Sequence, residues 1–169
     1  MSALINQLSD DAVELLTRLI KTPSFSREEA NTATLIQDFL AAHGVAAQRQ
    51  QHNVWAFSSS IDTNKPTILL NSHHDTVKPG AGWNHAPFGA GRKGDKLIGL
   101  GSNDAGASVV SLLATFLYFQ CKPNAFNLIC AITAEEEVSG ENGIRSVLSQ
   151  FGKIDLGIVG EPTGMNLAI

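Results

Sequence analysis

Apolar positions along the chain fall into two kinds of spacing, and the two kinds alternate. Across residues 10–21 they recur at Ala12, Val13, Leu15, Leu16, Leu19 and Ile20, the stripe of an amphipathic helix. Pro23 stops that helix. Ser26, followed three residues later by Glu29, reads as a capping box opening a second helix that runs to His43. Its apolar face is Leu35, Ile36, Phe39 and Leu40, and Gly44 follows as a C-terminal stop. Residues 45–49 and 54–58 read as a hairpin. Residues 67–71 (TILLN), 126–133 (FNLICAIT) and 156–159 (LGIV) are short apolar runs, the kind buried on both faces of a sheet. Residues 105–119 are apolar nearly all round, which predicts a buried helix. A further helix is predicted over residues 142–150, with Gly152 behind it. Residues 78–96, rich in glycine, read as a long irregular stretch. The alternation predicts an α/β fold: a mixed, largely parallel sheet with helices on both faces.

Composition narrows the functional classes. The chain has 169 residues, 43% apolar and 17% charged, which suits a globular fold built on one core. Its net charge of −4 makes a nucleic-acid partner a poor expectation. The longest apolar run, residues 109–119, is too short to cross a bilayer, so no membrane partner is expected. No basic-then-apolar leader opens the chain, which predicts a cytoplasmic protein. Cys121 and Cys130 lack metal-site spacing and read as reduced thiols.

In open α/β sheets, sites gather beyond the carboxyl ends of strands. The run at 67–71 is followed by Ser72-His73-His74-Asp75, the run at 126–133 by Ala134-Glu135-Glu136-Glu137, and the run at 156–159 by Gly160-Glu161. Asp104 follows the turn Gly99-Leu100-Gly101-Ser102-Asn103 and precedes the buried helix. Taken singly, each has a plain explanation: a capped turn, an acidic helix start, a helix cap. Taken together, an imidazole and six acids at one sheet edge make electrostatic sense around divalent cations.

These segments resemble the dinuclear-zinc amidohydrolases of the M20 family. The matching motifs are His73-His74-Asp75, Gly99 to Asp104, Thr133-Ala134-Glu135-Glu136-Glu137, Gly160-Glu161-Pro162-Thr163, and Trp83 to Phe88 as Trp-x-x-x-Pro-Phe. The resemblance implies two divalent metal ions, zinc or cobalt. It implies His73, Asp104 and Glu161 as ligands of the first, and Asp104, as a bridge, with Glu137 as ligands of the second. Asp75 would orient His73, and Glu136 would be the general base. The peptide after the bridging residue, Asp104–Ala105, would be cis. Glu135 stands where the family carries Asp.

The implied reaction is hydrolysis of the amide bond of an N-acyl amino acid. Residues 71–79 are most similar to the acetylornithine deacetylase branch, which implies release of acetate from N-acetylornithine in arginine biosynthesis. The alternatives are a carboxypeptidase or dipeptidase, a succinyl-diaminopimelate desuccinylase, or an inactive truncated metal-binding fragment. The family continues beyond this point with a lid and dimerisation domain, then a last catalytic segment that brings a histidine to the second metal. Residues 1–169 are therefore expected to be the N-terminal portion of a catalytic domain, weak or inactive alone, from a full-length homodimer. His43, His52, His74 and His85 offer no replacement ligand, and His74 should point away from His73.

Overall fold

A computed structural model describes residues 3–164. Helix α1 (Ala3–Lys21) buries Leu8, Ala12, Leu15, Leu16, Leu19 and Ile20. It begins earlier than the stripe predicts because Leu8, one turn before Ala12, extends the same buried face. Helix α2 (Ala30–Ala42) buries Thr32, Ala33, Ile36, Phe39 and Leu40. Gly44, at φ +73°, takes the left-handed conformation that ends it. The expected capping box does not form, and no side chain caps the N-terminus of α2. Ser26 Oγ instead donates to Asp75, and Glu29 is fully buried.

Five strands form the main sheet: β1 (Gln48–Gln50), β2 (Asn53–Phe57), β3 (Thr67–His73), β6 (Asn127–Thr133) and β7 (Leu156–Val159). Their order is β1-β2-β6-β3-β7. The β1–β2 and β2–β6 pairs are antiparallel, whereas β3 runs parallel to both β6 and β7. The mixed α/β sheet expected from the alternation is thus present. Its hairpin is shorter than predicted because the Val45 N–H is spent on Leu40 O, closing α2. The stretch expected to be irregular holds a separate hairpin, β4 (Gly91–Lys93) with β5 (Lys96–Ile98). Gly94, at φ +60°, makes its turn possible.

Side chains alternate across each strand, so the sheet has two cores. On one face Val54, Ala56, Leu70, Leu128, Cys130 and Ile132 pack against the three α-helices. On the other, among the described residues, Trp55, Leu69, Ile129 and Ala131 meet Val147, Phe151 and their neighbours. The predicted helix at 142–150 is two 3-10 turns, Ile144–Ser146 and Leu148–Gln150. Ile144 and Val147 lie three residues apart, which places both on the sheet side of such a turn. Helix α3 (Ser108–Phe119) starts later than predicted, since Asp104 and Ala105 have non-helical backbone angles. It buries Val109, Val110, Leu113 and Phe116, but Ser111 and Thr115 face outward, so it is not buried all round.

Strand β7 departs most from expectation. The pattern predicts a buried strand, yet Leu156, Ile158 and Val159 are 53%, 44% and 62% exposed. Among the described strands β7 is an edge strand, with β3 on one side only, and its side chains are left largely exposed. Among the described helices, none is long and apolar enough to cross a membrane.

Candidate metal centre

The parallel strands β6, β3 and β7 end at one edge, and the acidic and imidazole groups follow them there. His73 is the last residue of β3. Glu135, Glu136 and Glu137 turn away just after β6, and Glu161 follows β7. Asp104 arrives from a different direction, on the bend before α3, where Gly101 at φ +72° turns the chain. A Cβ at Gly101 would collide with Thr76, so the loop sits close under the site. The Asp104–Ala105 peptide is cis.

His73 is the hub. Its Nε2 lies 3.2 Å from Asp104 Oδ1, 3.6 Å from Glu161 Oε2 and 3.7 Å from Glu136 Oε2. Single donor atoms of His73, Asp104 and Glu137 all fall within 4.8 Å of one another. The residues expected at the metals therefore converge at one edge of the sheet. The trio that gathers most tightly takes Glu137, whereas the resemblance pairs His73 and Asp104 with Glu161.

Asp75 holds the hub from behind. Its Oδ1 lies 3.3 Å from His73 Nδ1. It also accepts from Ser26 Oγ at 2.7 Å, from Glu136 N–H at 3.1 Å and from Glu137 N–H at 3.2 Å. Burial raises the pKa of Asp75, but its hydrogen bonds from His73, Ser26 and Glu136 outweigh this and hold it below the usual carboxylate range. One buried carboxylate thus fixes the imidazole and the turn that bears two acids.

Burial and crowded acids set the charges of the cluster. Burial pulls His73 down, yet the hydrogen bond and charge of Asp75, with the charges of Glu161 and Glu136, lift its pKa to about 9. Burial raises Glu137, and the charges of Asp104, Asp75 and Glu136 add to it against the lowering effect of His73. Glu161 is raised by burial too, with Glu136 and Asp104 adding to it against the lowering effect of His73. Among the described residues, His73 is the one basic group in ion-pair contact with Asp104, Glu136 or Glu161. Nδ1 is taken up by Asp75, which leaves Nε2 facing the acids. An imidazole nitrogen with several carboxylates is a donor set that suits zinc, cobalt or manganese, so these residues fit a divalent cation.

Three of the remaining histidines are engaged elsewhere, and His85 lies exposed in the loop before β4. His74 is buried, with Nε2 donating to His52 O at 3.0 Å and Nδ1 lying 2.9 Å from Thr32 Oγ1. It points away from His73, as strand alternation predicts. Burial lowers its pKa to about 4, so it is neutral. His43 pairs with Asp11 at 3.1 Å, and His52 with Glu29 at 2.7 Å. The side-chain contacts of Glu135 are local: Asn142 Nδ2 donates to its Oε1 at 2.9 Å, and a Cβ at Gly140 would strike its carboxylate.

Beside the acids lies a cavity of about 380 Å³, lined by His73, Glu136, Glu161, Asn71, Ile144 and Arg145 among others. The motifs do not point to Ser26, Glu29, Asn53 or Asn71. Each is a polar side chain that serves the site through a long-range hydrogen bond, and no local spacing announces such a partner. The half-buried position of Asn71 on an interior strand, directly after the apolar run Ile68-Leu69-Leu70, is the nearest thing to a signal.

Comparison with known proteins agrees with this geometry. The profile of peptidase family M20/M25/M40 matches residues 69–169. The succinyl-diaminopimelate desuccinylase of Blochmanniella floridana is 31% identical over 93% of the chain and 44% of its own length. That of Wigglesworthia glossinidia brevipalpis is 33% identical over 90% of the chain and 43% of its own length. The chain thus spans less than half the length of these relatives. Among solved structures, human carnosine dipeptidase 1 superposes with a TM-score of 0.72 at 18% identity, covering 99% of this chain and 42% of that one. The dipeptidase Dug1p of Saccharomyces cerevisiae gives 0.68 at 19%, covering 94% and 40%. The relatives matched by sequence carry the desuccinylase name, one of the alternatives above, rather than that of the acetylornithine deacetylase branch to which residues 71–79 are most similar. The strand-end motifs, their convergence on His73 and the matched profile lead to one assignment: the chain belongs to peptidase family M20/M25/M40.

Proposed function

We propose that the chain carries most of the metal-holding residues of an enzyme that hydrolyses the amide bond of an N-succinyl amino acid, N-succinyl-diaminopimelate ahead of N-acetylornithine. The observation that carries this reading is the gathering of Asp104, Glu136 and Glu161 around one imidazole nitrogen. His73, Asp104 and Glu161 would hold one divalent ion, and Asp104 with Glu137 a second, zinc or cobalt in each case. Cations bound there supply Lewis acidity toward the acyl carbonyl and the attacking water.

The chain's own residues do the rest. Glu136 is the general base, with a carboxylate that faces the cavity and is half exposed, so substrate can reach it. It takes the proton of the attacking water and hands it to the departing amine. Asp75 keeps His73 in a fixed orientation while this happens. The desuccinylase name of the relatives favours a succinyl over an acetyl group.

The test is a substrate panel with the whole zinc-loaded protein: N-succinyl-diaminopimelate, N-acetylornithine and dipeptides. The succinylated substrate should be hydrolysed with the highest kcat/KM. Glu136→Gln should retain metal and lose turnover by about a hundredfold to ten-thousandfold. A preference for dipeptides would overturn the substrate, and a Glu136→Gln variant with the original rate would overturn the base.

A further inference from the structure

The acidic turn after β6 is held by more than Asp75. Four consecutive backbone N–H groups, from Ala134 to Glu137, each meet a side-chain oxygen. Ala134 N–H donates to Asn53 Oδ1 at 3.0 Å, and Glu135 N–H to Glu29 Oε1 at 3.2 Å. Glu136 and Glu137 N–H donate to the two oxygens of Asp75. All three acceptors are fully buried, and they come from the start of β2, the approach to α2 and the segment after β3.

This arrangement is not a helix start. Glu135 has φ +56°, which an ordinary residue adopts only when its surroundings require it. A turn of this kind leaves its N–H groups unpaired by the strand ladder. Those of Ala134 and Glu135 are buried, where an unpaired amide would be costly, and those of Glu136 and Glu137 are part-buried. Glu29 is itself locked. Its Oε1 also accepts Arg27 N–H at 2.7 Å, and its Oε2 accepts His52 Nδ1–H at 2.7 Å. His52 is tied in turn through its carbonyl to His74, and His74 to Thr32 on α2. Asn53 is pinned by donating its Nδ2 to Asn142 O at 2.6 Å.

We propose that Glu29 and Asn53 are positioning residues for the candidate metal centre. With Asp75 they form a three-acceptor cradle that sets the backbone of residues 134–137 and so aims the Glu136 and Glu137 carboxylates at His73. Neither touches the acids it aims. Both act through main-chain amides, at the one turn that carries two of the acidic groups. The consequence for metal rests on the function proposed above, whereas the cradle itself does not.

Amide hydrogen exchange on the metal-free whole chain reads the cradle directly. In the unaltered chain the amides of Ala134 to Glu137 should exchange as slowly as those of β6. Glu29→Ala should speed exchange at Glu135 by about tenfold or more, while Glu29→Gln, which keeps the acceptor oxygen, should stay near the original rate. Asn53→Ala should do the same at Ala134. Cobalt titration, followed by visible absorption, should then show about tenfold weaker binding for Glu29→Ala, with recovery in Glu29→Gln. Loop-like exchange at residues 134–137 of the unaltered chain would overturn the proposal, and this measurement decides even if Glu29→Ala does not fold. Cobalt binding by a folded Glu29→Ala equal to that of the unaltered chain would overturn it too. Slow amides without any metal binding would leave the cradle standing and defeat the hydrolase reading instead.

Discussion

Strands β6 and β7 look alike as sequence, and both run parallel to β3. In the fold they are opposites. Every residue of β6 is buried, and every residue of β7 is exposed. β6 has β2 on one side, β3 on the other, and a core on each face. β7 has β3 alone. The same contrast extends to the acids they deliver. The turn after β6 is gripped at four successive amides, whereas Glu161 follows a strand held by its ladder, by Gly160 N–H to Asn71 O and by Ser72 Oγ to Gly160 O. An apolar run marks a strand, but its neighbours decide whether that strand is a core or a rim.

The sharpest way to break this comparison is a matched pair of truncations. Ile129 on β6 is 1% exposed and Ile158 on β7 is 44% exposed. Ile129→Ala should cost about 2–5 kcal/mol of unfolding free energy. Ile158→Ala should stay within about 0.5 kcal/mol in this chain. Urea denaturation of both variants checks it, and equal losses would erase the distinction between the strands.

A second experiment bears on the β6 arm of the site. Asp75→Asn keeps the shape but weakens the hold on His73 and on two amides at once. Cobalt affinity should fall about ten- to a hundredfold, read by competitive titration. An unchanged affinity would show that the grip on the turn does not matter to the metal.

The smallest effect concerns two adjacent histidines at the end of β3. His74 titrates at 6.5 when free and at about 4 when buried. Between those values the unfolded chain binds more protons, so stability is fully present above pH 6.5 and falls as the pH drops toward 4. His73 has the opposite sign in the metal-free chain: its contribution is present below pH 6.5 and is lost as the pH rises through about 9. In His74→Gln the slope of stability against pH between 6.5 and 4 should become shallower by about one proton. Chemical denaturation across that range measures it.

The contrast between strands also explains what could be read from the chain alone. Helices α1 and α2, the central strands and the convergence of His73, Asp104, Glu136, Glu137 and Glu161 were legible because each depends on local spacing or on a strand end. The two 3-10 turns at 144–150 were not, since an apolar stripe over so few residues suits either kind of turn. Ser26 and Glu29 have the spacing of a capping box, and that local option lost to distant demands. Asp75, buried beneath His73, draws in the Ser26 hydroxyl, and the Glu135 amide needs the oxygen of Glu29. Such choices depend on residues 49 and 106 positions away.

The central claim is that His73, Asp104, Glu137 and Glu161 assemble a divalent-cation site. Calorimetric titration of the metal-free chain with zinc, beside its His73→Ala variant, tests it most directly. The account predicts one tight and one weaker site, with tight binding reduced by at least about a hundredfold in the variant. Two equally tight sites, no saturable binding, or a His73→Ala titration that matches the unaltered chain would contradict it.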